Sequence, residues 1–369
     1  MPFLCRSAAT PPVLTCLCLS LPQAPSRRAR QLWIFPTLFL EYAMLLMPAS
    51  TVPAPRTACV PSELVHKRRT GEVLLTQWRR TAPDAFTVTA RWPTDHPFYA
   101  VRRTLHDPLL LSETIRQIFP LLSHAEYDVP LGHHLLWDYY DYSLTRDALD
   151  AEQLPPLLDL HVTCLEAVRR GGRVTALTLR IDAVRGGLPL ATAHTRFTVQ
   201  SPAIYRRLRG DHGTTHVVPV LPVPSPVPPS RIGRTSCSDV VLSPSGDPDR
   251  WQLRVDNRHP ILFDHPLDHV PGMLLLEAAR QAAQDTHHQQ AMVAVAMNNR
   301  FSRYVEFDAP CWVEAKPLPD DTLGRTRMDI VMRQNGSEHY SATVTLEPAP
   351  TAPATPPRRG SHSRRSSDR

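Results

Sequence analysis

Apolar and polar residues alternate between Leu64 and Ala90, where Val73–Thr76 and Phe86–Ala90 read as strands. The period then changes. Leu109, Leu110, Leu111, Ile115, Ile118 and Phe119 recur at helical spacing. Asp107 suits the N-cap of that helix and Pro108 its first position, and Pro120 is expected to kink or stop it. Alternation resumes over Leu135–Leu144, Leu157–Glu166, Arg173–Ala183 and Pro189–Gln200, with Arg185-Gly186-Gly187 turning the last two as a hairpin. Prolines from Pro219 to Pro229 cannot join a sheet ladder and favour an extended spacer. Beyond them the order starts again. A strand at Trp251–Val255 precedes a helix from Pro271 to about Thr286. Strands follow at Phe301–Phe307 and Cys311–Ala315, and a final pair, Arg325–Arg333 and His339–Leu346, turns at Gln334-Asn335-Gly336.

The two halves also share a motif. His96-Pro97 and His259-Pro260 are each followed by eight residues and then an H-x-P triplet, starting at His106 and His269. Four residues then precede Glu113 and five precede Glu277, the extra one being Gly272. Both copies close on E-x-x-R-Q: Glu113, Arg116, Gln117 and Glu277, Arg280, Gln281. So many features in one order mark a tandem duplication. Each half is a strand, a loop, one long apolar helix and several antiparallel strands. A helix apolar all round must be covered all round, and a curved antiparallel sheet wrapped about it does so. The expected fold is α+β, a tandem (double) hotdog, with the two units paired as an intramolecular pseudo-dimer.

The expected domains are a non-folding extension over residues 1–60, unit 1 over 61–200, a Pro-rich linker over 201–238, unit 2 over 239–347 and a disordered basic tail over 348–369. Trp33–Met47 follows Arg27, Arg28 and Arg30, so a signal or anchor is the other reading of the extension, which also permits a start at Met44 or Met47. Charge sharpens this picture. The chain of 369 residues carries +6, but each terminal segment holds +4, leaving −2 for the body. A body so nearly neutral offers no footprint for nucleic acid. The apolar runs of residues 1–60 fall short of the ~20 residues that span a membrane. The body's Cys164, Cys237 and Cys311 form no disulfide framework or metal pair, so a cytoplasmic (cytosolic) setting is expected.

On a helix, Glu277, Arg280, Gln281 and Gln284 form one polar stripe along an apolar rod, as Glu113, Arg116 and Gln117 do in the first half. An exposed ion pair would add only ~0.2–0.5 kcal/mol. The Leu and Ala residues flanking the stripe instead place it inside, where a carboxylate needs a partner or a raised pKa. His269 and His106 stand before these helices, and an imidazole beside a carboxylate serves general acid–base chemistry. Gly272 would let a substrate approach the backbone, and the free N–H groups there would polarise a carbonyl. The first half lacks that glycine, which favours the second for chemistry. His96 and His259 are further binding candidates. No P-loop, G-x-S-x-G or H-E-x-x-H occurs, and the adjacent His133-His134 and His287-His288 point apart, so no metal site is expected.

The stretch HPLDHVPGMLLLEAARQAA, with DHPFYA and HDPLLLSETIRQ before it, SPAIYRRLRGD between and RFSRYVEFDAPCW after, resembles the A-factor biosynthesis (AfsA-like) hotdog family over roughly Val65–Leu346. The resemblance implies a γ-butyrolactone autoregulator synthase. Such an acyltransferase moves a β-ketoacyl group from an acyl carrier protein to the hydroxyl of glycerone phosphate, with no cofactor, in a route that controls antibiotic production. It implies catalytic roles for Glu277, His269, Glu113 and His106, and substrate binding by Arg280, Gln281, Gly272, Arg116, Gln117, His96 and His259. Hotdog dehydratases and thioesterases would pair His269 with Glu277 and His106 with Glu113, with His265 a second choice at a spacing nearer theirs. A dehydratase or thioesterase, and a non-catalytic acyl-binding regulatory protein, are the alternatives.

Overall fold

The structure, a computed structural model, describes residues 60–213 and 221–350. The readings made for residues 1–59, for 214–220 of the linker and for the tail from 351 lie outside the described residues. The first half holds β1 (Leu75–Ala82), β2 (Ala85–Arg91), α1 (Leu109–Glu126), β3 (His134–Leu144), β4 (Leu157–Arg170), β5 (Arg173–Arg185) and β6 (Leu188–Gln200). A short helix, α2 (Pro202–Arg209), follows. The second half repeats the sequence of elements with β7 (Leu242–Pro244), β8 (Arg250–Leu253), α3 (Gly272–Asp285), β9 (Met292–Phe301), β10 (Cys311–Leu318), β11 (Thr326–Gln334) and β12 (Ser337–Pro348).

All twelve strands belong to one antiparallel sheet in the order β1-β2-β4-β5-β6-β3-β9-β12-β11-β10-β8-β7. Read from its two ends, that order is the same in each half, so the fold is a tandem hotdog. The halves meet where β3 pairs with β9, from Tyr139 opposite Arg300 to Ser143 opposite Ala296. Asn299 ties the seam, its Nδ2 donating to the Tyr140 carbonyl at 2.5 Å while Tyr340 donates to its Oδ1 at 2.6 Å. Both expected two-residue hairpins form. Gly186 and Gly187 (φ 56° and 81°) and Asn335 and Gly336 (φ 51° and 76°) take the left-handed conformations such turns need.

The helices are enclosed as an all-round apolar rod requires: every residue of α3 from Met273 to Asp285 is buried. At the start of α1, Asp107 Oδ1 accepts from Leu109 N at 2.9 Å. Pro120 does not stop α1, which runs on to Glu126. A proline there loses one helical hydrogen bond, and the full burial of Leu121 and Leu122 offsets that loss. The strand expected at Phe301–Phe307 lies earlier, as β9. Residues 302–307 form a loop held by single bonds, such as Val270 N to the Val305 carbonyl (2.9 Å) and Glu306 N to Gln334 Oε1 (2.9 Å), and not by a ladder.

The span expected to be a linker contains structure of its own. Besides α2, a 3-10 turn at Pro229–Ile232 leads through left-handed Gly233 to buried Arg234. The same device stands before β1, where a 3-10 turn at Ser62–Val65 leads through left-handed His66 to buried Lys67. Further 3-10 turns, Thr70–Glu72 and Cys237–Asp239, occupy matching places. We propose that the duplicated unit begins at Pro61 and again at Pro228.

Candidate active site

Each helix holds its carboxylate in the same frame. Gln117 Nε2 donates to Glu113 Oε1 (2.9 Å) and to the Glu72 carbonyl (2.8 Å), while its Oε1 accepts from Leu74 N (2.9 Å). Gln281 repeats this with Glu277 Oε1 (2.5 Å), the Asp239 carbonyl (2.8 Å) and Val241 N (2.9 Å). Arg116 reaches Glu113 with two nitrogens at 3.2 Å, and Lys67 Nζ lies 2.9 Å from the same carboxylate. Arg280 binds Glu277 at 2.8 and 2.7 Å, and Arg234 Nε adds a bond of 2.8 Å. Lys67 and Arg234 thus take equivalent positions.

Burial alone would raise both carboxyls. The cations outweigh it: Arg116 and Lys67 bring Glu113 down to about 2, and Arg234 with Arg280 hold Glu277 well below the usual carboxylate range. A carboxylate so stabilised is a weak base, and each one bonds the cations around it.

Two cavities open beside these frames, and each is built from both halves. One, of about 210 Å³, is lined by Glu113, Arg116 and Lys67 of the first half and by His269 and Gly272 of the second. Phe119, Leu135, Leu136, Trp137, Ile261 and Met273 give it apolar walls. The other, of about 450 Å³, has His106 and Asp107 of the first half facing Arg234 and Arg280 of the second. The His–Glu partnerships within one half, expected from the motif, are therefore exchanged: His269 shares its cavity with Glu113, and His106 shares one with Arg280. Glu277 lines neither cavity. It is fully buried behind its two arginines.

His269 stands in a charge-ordered network. Its Nδ1 lies 2.7 Å from Asp268 Oδ1. A carboxylate only accepts, so Nδ1 is the nitrogen that donates, and in the neutral ring Nε2 is then the one with the lone pair. Tyr205 donates to both Asp268 oxygens at 2.7 and 2.9 Å, and Arg209 donates from Nε at 3.1 Å. Burial would raise Asp268, but His269, Tyr205 and Arg209 hold it well below the usual range. Arg209 is anchored in turn on Glu306 at 2.6 and 2.8 Å and lies over the Tyr304 ring. Tyr205 and Arg209 are side chains of α2, which the Pro-rich composition around it concealed.

His106 has none of this. Leu105 occupies the place of Asp268, and neither ring nitrogen of His106 has a hydrogen-bond partner among the described residues. Burial first, then Arg185, lowers it to about 4, so the ring is neutral, its edge against Trp92.

Other expected contacts are used structurally. Gln117 and Gln281 are fully buried, line neither cavity, and have their amides saturated by the bonds above. His96 and His259 organise turns. His96 Nδ1 accepts from Phe98 N (3.1 Å) and Tyr99 N (3.0 Å), and His259 Nδ1 accepts from Ile261 N (3.3 Å) and Leu262 N (3.1 Å). His265 lines the His269 cavity beside Asp264, its pKa lowered by burial first and by Arg116 next. Gly272 also lines that cavity, but Trp137 occupies the space above it. A Cβ there would stand 2.7 and 2.8 Å from the indole carbons Cε3 and Cζ3. Gly272→Ala is therefore expected to cost about 1–3 kcal/mol as overpacking, read as a lower urea midpoint. An unchanged midpoint would mean that Trp137 moves freely.

The fold is a double hotdog, and one of its cavities joins an apolar wall to an imidazole and fixed cations. The model of the A-factor biosynthesis hotdog domain (AfsA) matches residues 49–201 and 216–350, and the chain belongs to that family. It is 43% identical over 290 residues to the 2-oxo-3-(phosphooxy)propyl 3-oxoalkanoate synthase of Streptomyces virginiae, covering 78% of this chain and 97% of that protein. The Streptomyces coelicolor protein of the same name is 44% identical over 291 residues, covering 78% and 91%. That of Streptomyces griseus subsp. griseus is 40% identical over 314 residues, covering 83% and 98%.

Proposed function

We propose that this chain is an acyltransferase that joins a β-ketoacyl group, delivered as a thioester of an acyl carrier protein, to the hydroxyl of glycerone phosphate. The name shared by its relatives describes that ester: a 3-oxoalkanoate on a 2-oxo-3-(phosphooxy)propyl group. The ester is the precursor of a γ-butyrolactone-type signal that regulates antibiotic production. The observation that carries the reading is the His269 cavity. There an imidazole oriented by Asp268 faces the Arg116 and Lys67 cations and an apolar wall. The reaction is placed in the cytosol, where carrier proteins work, and Cys164, Cys237 and Cys311 are free thiols, which supports that setting. Among the described residues no helix is long and apolar enough to cross a membrane.

In this mechanism the acyl chain lies along Phe119, Leu135, Leu136 and Met273. The thioester carbonyl points to the first N–H groups of α3, those of Gly272 and Met273, which suit a developing oxyanion. Arg116 and Lys67 hold the phosphate, the guanidinium by paired hydrogen bonds. Glu113 balances one of these two charges and keeps both cations in place. His269 Nε2 takes the proton of the attacking hydroxyl. The new C–O bond forms, the C–S bond breaks, and the proton passes to the departing carrier thiol. Arg280 and Arg116 line different cavities, so one phosphate meets only one of them. The two halves act as paired hotdog subunits, each lending part of the site.

The test is purified protein with a β-ketoacyl carrier thioester and glycerone phosphate, the products read by mass spectrometry. The expected product is the ester of glycerone phosphate. Free acid or an enoyl thioester would assign a thioesterase or dehydratase instead, and unchanged thioester would leave an acyl-binding protein.

A further inference from the structure

The larger cavity repeats the plan of the His269 site with the halves exchanged, but without the network that orients the imidazole. It has no counterpart of Asp268, and His106 is a neutral ring bonded to nothing among the described residues. What remains is positive charge. Arg102, Arg103, Arg234 and Arg280 line it, and Asp107 is the one carboxylate among its described lining residues. The lining holds four guanidiniums to one carboxylate, and Glu277 behind the wall offsets only part of that surplus.

Several of these donors are unused. Arg234 is fully buried at its side chain. It spends Nε on Glu277 and Nη1 on the Phe98 carbonyl (2.7 Å) and Asp107 (3.0 Å). Its buried Nη2 and the buried Nε of Arg102 have no partner among the described residues. A buried donor left unbonded costs free energy until a ligand satisfies it. Arg102 is also destabilised, its pKa lowered by burial first and then by Arg234. Guanidiniums fixed in place with spare N–H groups suit phosphate oxygens.

We propose that the Arg102–Arg103–Arg234–Arg280 cavity is a second, non-reacting site that binds the dianion of a phosphate monoester. The surplus positive charge suits the negative charge of such a group, and His106, a weak base that no carboxylate orients, leaves the ligand unreacted. Each chain then carries two phosphate sites, one of them catalytic. The proposal depends on the cavity alone and does not require ester formation.

Isothermal titration of the full chain with inorganic phosphate, and separately with glycerone phosphate, tests it. Two sites per chain are expected. Arg102→Ala/Arg103→Ala removes one, weakening it at least ~10-fold, the loss expected of one or two charge-assisted hydrogen bonds. Both side chains stand at the rim, half-buried or exposed, so the variant should keep its fold, checked by circular dichroism. No phosphate binding in the unaltered protein, or undiminished binding in the variant, would overturn the proposal; a single site that the variant loses would uphold it and count against phosphate binding at Arg116 and Lys67. Agreement for both probes assigns the site to phosphate itself, and binding of glycerone phosphate alone assigns it to the whole ester. A failed ester assay with two phosphates bound would defeat the proposed reaction and leave this site standing.

Discussion

His269→Ala is expected to lower the rate of ester formation by about 10²–10⁴-fold, the usual contribution of a positioned general base. Thermal stability should change little, because the ring is partly exposed and its main bond runs to Asp268. Asp268→Asn should act in the same direction, since an amide can donate to Nδ1 and favour the tautomer whose Nε2 already carries the proton. His106→Ala should leave the rate within about 2-fold, there being no hydrogen bond to lose at that ring. A rate that fell equally in the His106 and His269 variants would mean that both cavities react.

The second large effect falls on stability. Glu277→Ala strips the partner from Arg234 and Arg280 in a fully buried frame, and breaking such a pair costs about 3–5 kcal/mol. Glu113→Ala should cost less, because Arg116 is 21% exposed at its side chain and water can reach it from the cavity. Urea unfolding of the two variants gives the comparison. The same ion pairs set the acid limit. Both carboxyls have folded pKa values below their unfolded ones, so they contribute stability above the unfolded value. For Glu113 that contribution is lost as pH falls from 4.5 towards about 2, and Glu277 extends the loss lower. Glu277→Ala should flatten the steep fall of stability below pH 4.5. An equally steep fall in the variant would place the effect elsewhere.

Periodicity was enough to place the helices and most strands, because a rod covered on all sides and a sheet with one face buried each impose their own repeat. It failed at β9, whose apolar run Met292–Met297 follows α3 after only six residues and carries no alternation to mark it as a strand. It also failed at α2, where proline-rich surroundings hide a helix that Ser201 caps from outside. The motif picked out loops and helices that line the two cavities but paired them within each half. Which loop meets which helix is settled by β3 pairing with β9, a contact between residues some 160 positions apart that no local pattern carries. Two signals were nonetheless in the sequence. Asp268 stands before His269 where Leu105 stands before His106, so the copies differ at the residue that orients the imidazole. Lys67, one of only two lysines in the chain, matches Arg234 once the 3-10 turns are aligned.

The central claim is that one reacting site is assembled from the His269 loop of the second half and the Glu113 helix of the first. A crystal structure with glycerone phosphate bound tests it most directly. The phosphate is expected on Arg116 and Lys67, with the hydroxyl about 2.6–3.2 Å from His269 Nε2. A substrate seated elsewhere, with the His269 cavity empty at saturating ligand, would contradict it.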